Sequence, residues 1–189
     1  MSRRPNDAYY SPENALGLLT RRVYIQGSVF EPCVGTGVIY EAFKRYGQAQ
    51  SVMTNDIVLG LGHYNFDASK PWPIQEQYDW IITNPPFNQA LPILRQSLLH
   101  ARLGVAFLLR LSFLEPGRQP GTVAYERGQF LAVNPPTKLI VLPRYSFTGD
   151  GKTDSVTCAW MVWGCSLVST TPEISIAAPA PRNYYESKG

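Results

Sequence analysis

Asn84-Pro85-Pro86-Phe87 is the segment of this 189-residue chain best equipped for chemistry. It follows the apolar run Tyr78–Thr83, and its two prolines stop strand pairing and lock the turn. That rigidity fixes two acceptors in space, the Asn84 side-chain oxygen and the Pro85 carbonyl, with the flat face of Phe87 beside them. An exocyclic amino group donating to both acceptors is drawn out of conjugation, towards a tetrahedral nitrogen with an available lone pair. Phe87 stacks on the ring that carries it. Such a nitrogen can attack a methyl donor in line, by positioning and fixed dipoles, without a strong general base. Asn134-Pro135-Pro136-Thr137 repeats three of the four letters, yet lacks the aromatic and opens a strand. It is expected to be an ordinary loop.

A second constellation lies upstream. Glu31-Pro32-Cys33-Val34-Gly35-Thr36-Gly37 ends an apolar run and opens a helical one, and Gly35 and Gly37 allow a tight turn with close backbone approach to a ligand. No lysine follows, so it is not a phosphate loop, and Tyr40 stands where G-x-G-x-x-G needs its last glycine. About twenty residues on, Asn55-Asp56 ends the next apolar run, where an acid in a doubly wound fold receives ribose hydroxyls. Asp67 follows Phe66 near the expected end of a further strand. Singly, Asp56 and Asp67 serve equally well as turn and cap residues. Together with the glycines they describe a nucleoside-binding edge, with a methyl donor beside Gly35.

These groups need a frame. Strands are expected at Ser28–Cys33, Ser51–Ile57, Trp80–Thr83, Gly104–Leu109, Leu139–Leu142 and Cys158–Trp163. Several are continuous apolar runs, as suits strands covered on both faces. Helices are expected at Pro12–Tyr24, Val38–Tyr46 and Gln89–Arg102, the last with Leu91, Leu94, Leu98 and Leu99 on one face. The alternation implies a doubly wound α/β sheet. Pro116–Thr137, with three glycines and four prolines, is expected to be an irregular excursion. From Thr171 onward an extended or poorly ordered tail is expected.

Composition excludes several classes. Hydrophobic residues make up 44% and charged residues 16%, which is not the balance of a disordered chain. No apolar run approaches bilayer length, and Arg3 and Arg4 have no apolar stretch behind them, so neither a membrane span nor a signal peptide is expected. Three scattered cysteines and two histidines provide neither a disulfide framework nor a metal site. A cytoplasmic protein is expected. The net charge is only +3, but residues 95–152 carry eight Lys/Arg against three Asp/Glu. That imbalance suits either a solvated surface or a polyanion-facing half.

The order Tyr9-Tyr10-Ser11-Pro12, Glu31–Gly37, Asn55-Asp56 and Asn84–Phe87 resembles the S-adenosylmethionine-dependent N6-adenine DNA methyltransferases in their gamma-type arrangement. It is similar above all to the small stand-alone adenine methylases of phages and prophages. The likeness extends through Phe107–Leu114, Pro143–Phe147 and Asp154…Trp160…Trp163, about residues 7–165. It implies an α/β, Rossmann-like class I methyltransferase with a mostly parallel seven-stranded sheet and helices on both faces. One catalytic domain would span 1–170, with 116–137 an insertion and 171–189 a tail.

The resemblance also implies roles. S-adenosyl-L-methionine would be the cofactor, with Tyr10, Ser11 and Pro12 at its methionine end. Glu31, Pro32, Gly35 and Gly37 would form the loop beneath it, Asp56 would hold the ribose, and Phe66 and Asp67 would meet its adenine. Asn84, Pro85, Pro86 and Phe87 would hold the target amino group. DNA would be the partner, its adenine flipped out of the stack. Larger members carry a separate recognition domain, and no stretch here is long enough to be one. A short or relaxed target sequence is therefore expected, with phosphate contacts from Arg118, Arg127, Lys138 and Arg144. The same tetrapeptide chemistry would serve RNA base amino groups or a protein glutamine, and an idle nucleic-acid-binding module of the same fold is the remaining alternative.

Overall fold

Alternate side chains of the two central strands enter two different cores. In the computed structural model, which describes residues 14–46, 49–143, 156–164 and 173–176, these strands are β3 (Tyr78–Thr83) and β4 (Ala101–Arg110). Trp80, Ile82, Ala106 and Leu108 join one buried cluster, while Ile81, Val105, Phe107 and Leu109 join the other. A strand whose residues are apolar at every position can satisfy both clusters at once, which is why these runs do not alternate with polar residues.

The first cluster is covered by α1 (Ala15–Thr20) and α2 (Val38–Tyr46). Ile39, Ala42 and Phe43 of α2 fall at i, i+3 and i+4 and are buried, while Glu41 and Lys44 pair on the outer side at 3.0 Å. The buried indole N–H of Trp160 donates to the Ala15 carbonyl at 2.7 Å and ties α1 down. The second cluster is covered by α3 (Ala90–His100) and, through Leu131, by α4 (Val123–Val133). Helices therefore flank both faces.

The strands lie in the order β2-β1-β3-β4-β6-β5-β7. Here β1 is Ser28–Glu31, β2 Ser51–Thr54, β5 Lys138–Val141, β6 Cys158–Gly164 and β7 Glu173–Ile176. β6 runs antiparallel to both β4 and β5, and the remaining pairings are parallel. Six strands form the body of the sheet. β7 adds an edge beside β5, drawn from the segment expected to be only an extended tail.

Three expectations are corrected. No strand forms ahead of Asp67: among the described residues, only an isolated bridge joins Asn55 to Tyr64. An aromatic cluster stands there instead, with the Phe30 ring 4.8–6.4 Å from those of Tyr78, Trp72, Tyr64 and Phe66. The excursion after Pro116 is not irregular, because α4 occupies its middle. Thr122 caps that helix by accepting from the Tyr125 N–H, and Gly128 lies so close to Pro116 that a Cβ would stand 2.8 Å from the proline Cβ. Gly117 N–H also donates to the Ala124 carbonyl at 3.0 Å, so the segment is latched onto itself. In α3 the buried set is Ala90, Leu91, Ile93, Leu94 and Ser97, whereas Leu99 is 67% exposed.

Candidate active site

Parallel strands bring their carboxyl ends to one edge, and that edge is where β1, β2, β3 and β4 deliver their loops. After β1 the chain turns through Gly35 (φ +52°) and Gly37 (φ +79°), a backbone region that disfavours side chains. A Cβ at either position would meet nothing within 4 Å, so both glycines face open space. The turn is pinned from below. Gly35 N–H donates to Asp56 Oδ2 at 2.8 Å, Val34 N–H to the Asn55 carbonyl at 3.0 Å, and Glu41 N–H to the Gly37 carbonyl at 2.8 Å as α2 begins.

Asp56 fills the turn role and also faces the cleft. Its Oδ1 accepts from Val58 N–H at 2.9 Å in a turn, and the residue also lines a cavity of about 210 Å³. Each carboxylate oxygen keeps a second lone pair for a hydroxyl donor. Asp67 behaves alike. Its Oδ1 accepts from the Ser69 hydroxyl at 2.6 Å and the Ser69 N–H at 2.9 Å, and these bonds, the hydroxyl foremost, hold its carboxyl below the usual range. Phe66 departs from expectation. Its ring belongs to the aromatic cluster around Phe30, and the cavity wall beside Asp67 is made by Ala68, Ser69 and Ile57.

Asn55 is the residue that sequence reasoning undervalued. It is fully buried, and its Nδ2 donates to the Pro32 carbonyl at 2.9 Å and the Phe66 carbonyl at 3.0 Å. Its Oδ1 accepts from Phe66 N–H at 2.9 Å. One amide therefore joins the glycine turn to the Phe66–Ser69 wall, where the expected strand would have made a ladder. The Asn-Asp pair at the end of a strand was its only trace in the sequence.

Glu31 supplies the electrostatics. It is 1% exposed, its Oε2 has no hydrogen-bond partner among the described residues, and its carboxyl is raised well above the ordinary value. Burial is the main cause, Asp56 adds to it, and the Tyr40 backbone N–H opposes it. Burial, with the Asp56 and Glu31 charges, likewise pushes the Cys33 thiol up, so it stays protonated and unreactive. An orphaned carboxyl oxygen among acids suits a ligand that brings positive charge. A cavity of 210 Å³ is below the ~300–1,000 Å³ of whole small-molecule sites, so it fits one part of such a ligand.

Of the Asn84–Phe87 turn, Pro86 lines the same cavity as Pro32 and Cys33, while Pro85 is buried and Asn84 and Phe87 are half-buried outside its lining. Pro86 has the extended ψ of 125° and accepts from Gln89 N–H, so Phe87–Gln89 makes a 3-10 turn leading into α3. Asn88, Gln89 and Ile93 add cavity wall that no sequence pattern flagged. The look-alike Asn134 sits elsewhere. It ends α4 and precedes β5, with Nδ2 donating back to the Phe130 carbonyl at 3.1 Å and its own carbonyl accepting from Trp163 Nε1–H at 3.0 Å.

The expected phosphate contacts divide. Arg118 is exposed in the chain that follows β4. Arg127 is committed to the fold: its Nη2 donates to the Glu115 carbonyl at 2.9 Å, and its guanidinium carbon lies 5.3 Å from the Phe113 ring centroid. Lys138 begins β5 level with Val162 of β6, and so with Ala106 of β4 and Ile82 of β3, and its Nζ donates to the Arg22 carbonyl at 3.0 Å. β4 and β6 lie between it and β3 in the sheet. Arg144, Tyr10, Ser11 and Pro12 lie outside the described residues. Among the described residues no helix is long and apolar enough to cross a membrane, and no three His, Cys, Asp or Glu side chains are grouped to hold a metal.

Searches against family models and curated proteins return no match. Solved structures do match. A modification subunit of a putative type I restriction enzyme from Vibrio vulnificus superposes with TM-score 0.60 at 15% identity, covering 93% of this chain and 48% of that one. A dimethyladenosine transferase from Plasmodium falciparum gives 0.55 at 16% identity, with 83% and 62% covered. The 23S rRNA methyltransferase ErmE gives 0.54 at 15% identity, with 84% and 70% covered. The chain has a methyltransferase fold. It spans about half the length of the first of these methyltransferase-fold neighbours and about three-fifths of the second.

Proposed function

We propose that this chain transfers a methyl group from S-adenosyl-L-methionine to the exocyclic N6 amino group of adenine in DNA, at short or relaxed target sequences. One observation carries the reading: Pro86 of the Asn84–Phe87 turn lines the same cavity as Pro32 and Cys33 of the glycine-turn segment and as Asp56 and Asp67. A ligand seated in it would lie beside both turns. The modification subunit and the dimethyladenosine transferase share this fold and supply the analogy.

S-adenosyl-L-methionine, when bound, supplies an electrophilic methyl group on a positively charged sulfur. The chain's own groups do the rest. Asp56 accepts ribose hydroxyls, the Asp67–Ser69 turn with Ile57 bounds the nucleoside, and Glu31 balances positive charge from beneath. Asn84 Oδ1 and the Pro85 carbonyl accept the two N6–H bonds and turn the nitrogen lone pair towards the methyl group. With S-adenosyl-L-methionine bound, the N–C bond would form as the S–CH3 bond breaks, the sulfur leaving as a neutral thioether, and N6 would give one proton to water. Flipping the adenine out of the duplex costs a few kcal/mol, which contacts along the basic half must offset.

Incubation with labelled methyl donor and DNA, RNA or protein, followed by nucleoside and amino-acid analysis, tests the reading. Labelled N6-methyladenine in DNA is expected, and label only in RNA or in glutamine would refute the DNA assignment. Asn84→Ala should lower turnover by about 10²–10³ while cofactor still raises the melting temperature, by about 2.7 kcal/mol of stability at a hundredfold excess over Kd. Asn134→Ala should act like wild type. Equal activity of the two variants would refute the role given to Asn84.

A further inference from the structure

The cavity that Pro86 shares with the glycine-turn segment is rich in side-chain acceptors and short of side-chain donors. Asp56 and Asp67 both line it. An ionised carboxylate only accepts, and the Asp67 carboxyl is held below the usual range by Ser69. The Ser69 hydroxyl, also in the wall, is spent in donating to Asp67 Oδ1 at 2.6 Å. The half-buried Cys33 thiol is a weak donor. Two lining side chains still have N–H groups to offer, the carboxamides of Asn88 and Gln89. Both are exposed, and neither side chain has a hydrogen-bond partner among the described residues.

The fold holds these carboxamides in place. Gln89 N–H donates to the Pro86 carbonyl at 2.9 Å and Ala90 N–H to the Phe87 carbonyl, so both residues ride on a closed turn. Ala90, Leu91, Ile93 and Leu94 are buried and anchor the start of α3 behind it. Gln89 and Ile93 stand four residues apart, hence on one helix face, and both line the cavity.

A carboxamide presents an acceptor and a donor side by side. The N6–N7 edge of adenine presents the complement, an amino donor beside a ring-nitrogen acceptor, and Asn or Gln pairs with it bidentately. Carboxylates can accept from N6 but leave N7 without a donor. Resting on the proposed function, we propose that Asn88 and Gln89 read the N6–N7 edge of the cofactor's adenine, on the same turn that carries Phe87. Ile57, Ala68 and Pro86 give the ring apolar surface. Nothing in the sequence singles this pair out, because polar residues are ordinary at the start of a helix.

The test is titration calorimetry, which needs no turnover. S-adenosyl-L-homocysteine and its 7-deaza analogue, which has C–H in place of N7 and keeps the amino group, are titrated into wild type and Asn88→Ala/Gln89→Ala. Both residues are exposed and neither caps α3, so the double variant should fold. Wild type should bind the 7-deaza analogue about three- to tenfold more weakly than the parent, the worth of one hydrogen bond. The double variant should bind the parent about tenfold more weakly than wild type does and lose the preference. Equal binding of the two ligands by wild type, an undiminished preference in the double variant, or an equal loss for both ligands would overturn the assignment, leaving the pair as mere wall. Wild-type protein that binds neither ligand would instead refute the cofactor in the proposed function, and this assignment with it.

Discussion

Replacing Asn55 by alanine should damage the fold and the cleft together. The substitution removes three hydrogen bonds of 2.9–3.0 Å from a site with no exposure. It leaves the Pro32 and Phe66 carbonyls and the Phe66 N–H without their partner. Each orphaned buried group costs about 1–3 kcal/mol. Water entering from the adjoining cavity can recover part of the Pro32 term, so the loss should come to about 3–6 kcal/mol. For a domain this long that corresponds to a fall in melting temperature of roughly 8–18 °C. Urea unfolding with an unchanged m-value is the cleaner assay, since it separates lost stability from an altered unfolded state. Asn65→Ala is the control. Its Nδ2 also donates twice, to the Asp56 and Ile57 carbonyls at 2.8 and 3.1 Å, but from an exposed position where water can replace it. It should cost under about 1 kcal/mol. An Asn55→Ala protein as stable as Asn65→Ala would show that the amide does not hold the Phe66–Ser69 wall.

Stability should also weaken in acid through Asp79, whose carboxyl is held at about 2, first by Arg102 and then by the Ser28 N–H and hydroxyl. A folded-state value below the ordinary one adds stability that is present above about pH 4 and lost as pH falls towards 2, and solvent screening limits it to about 1 kcal/mol. Asp79→Asn should shrink the difference between urea midpoints at pH 6 and pH 2.5, and an unchanged difference would rule the pair out as the cause. Gly104→Ala would put a Cβ 2.5 Å from Trp80 Cζ3 and 3.0 Å from the Trp163 carbonyl. It should cost about 1–3 kcal/mol by overpacking, with partial recovery in Gly104→Ala/Trp80→Phe, and a neutral single variant would contradict the close approach of β3 and β4.

What the sequence disclosed was whatever depended on neighbours along the chain. Val38–Tyr46 is helical over those same residues, because its apolar spacing and its Glu41/Lys44 pair are local. Strands read from continuous apolar runs lie where the runs are, although β4 starts at Ala101 rather than Gly104 since Ala101 pairs with Tyr78. What stayed hidden depended on distant contacts. Gly128 reads as a helix breaker until Pro116 is seen to need the space. Lys138 reads as one more cation of a basic half until its Nζ is seen donating to the Arg22 carbonyl. Phe66 reads as a ligand-facing aromatic until Phe30, Tyr64 and Trp72 claim its ring. Asn55, the residue that most directly shapes the cleft, has a role that exists only because a strand is missing.

The latch between Pro116 and α4 has an energetic meaning for anything that docks there. A free loop of this length would surrender backbone freedom on binding, about 1–2 kcal/mol for each residue fixed. Here the Gly117–Ala124 bond, the Arg127 grip on Glu115 and the Gly128–Pro116 contact exact that entropy during folding. Under the function proposed above, a duplex meeting this segment has only side-chain rotamers left to immobilise, about 0.5–1.5 kcal/mol each. Under that function, preorganisation of this kind lowers the entropic cost of every encounter with DNA, specific or not.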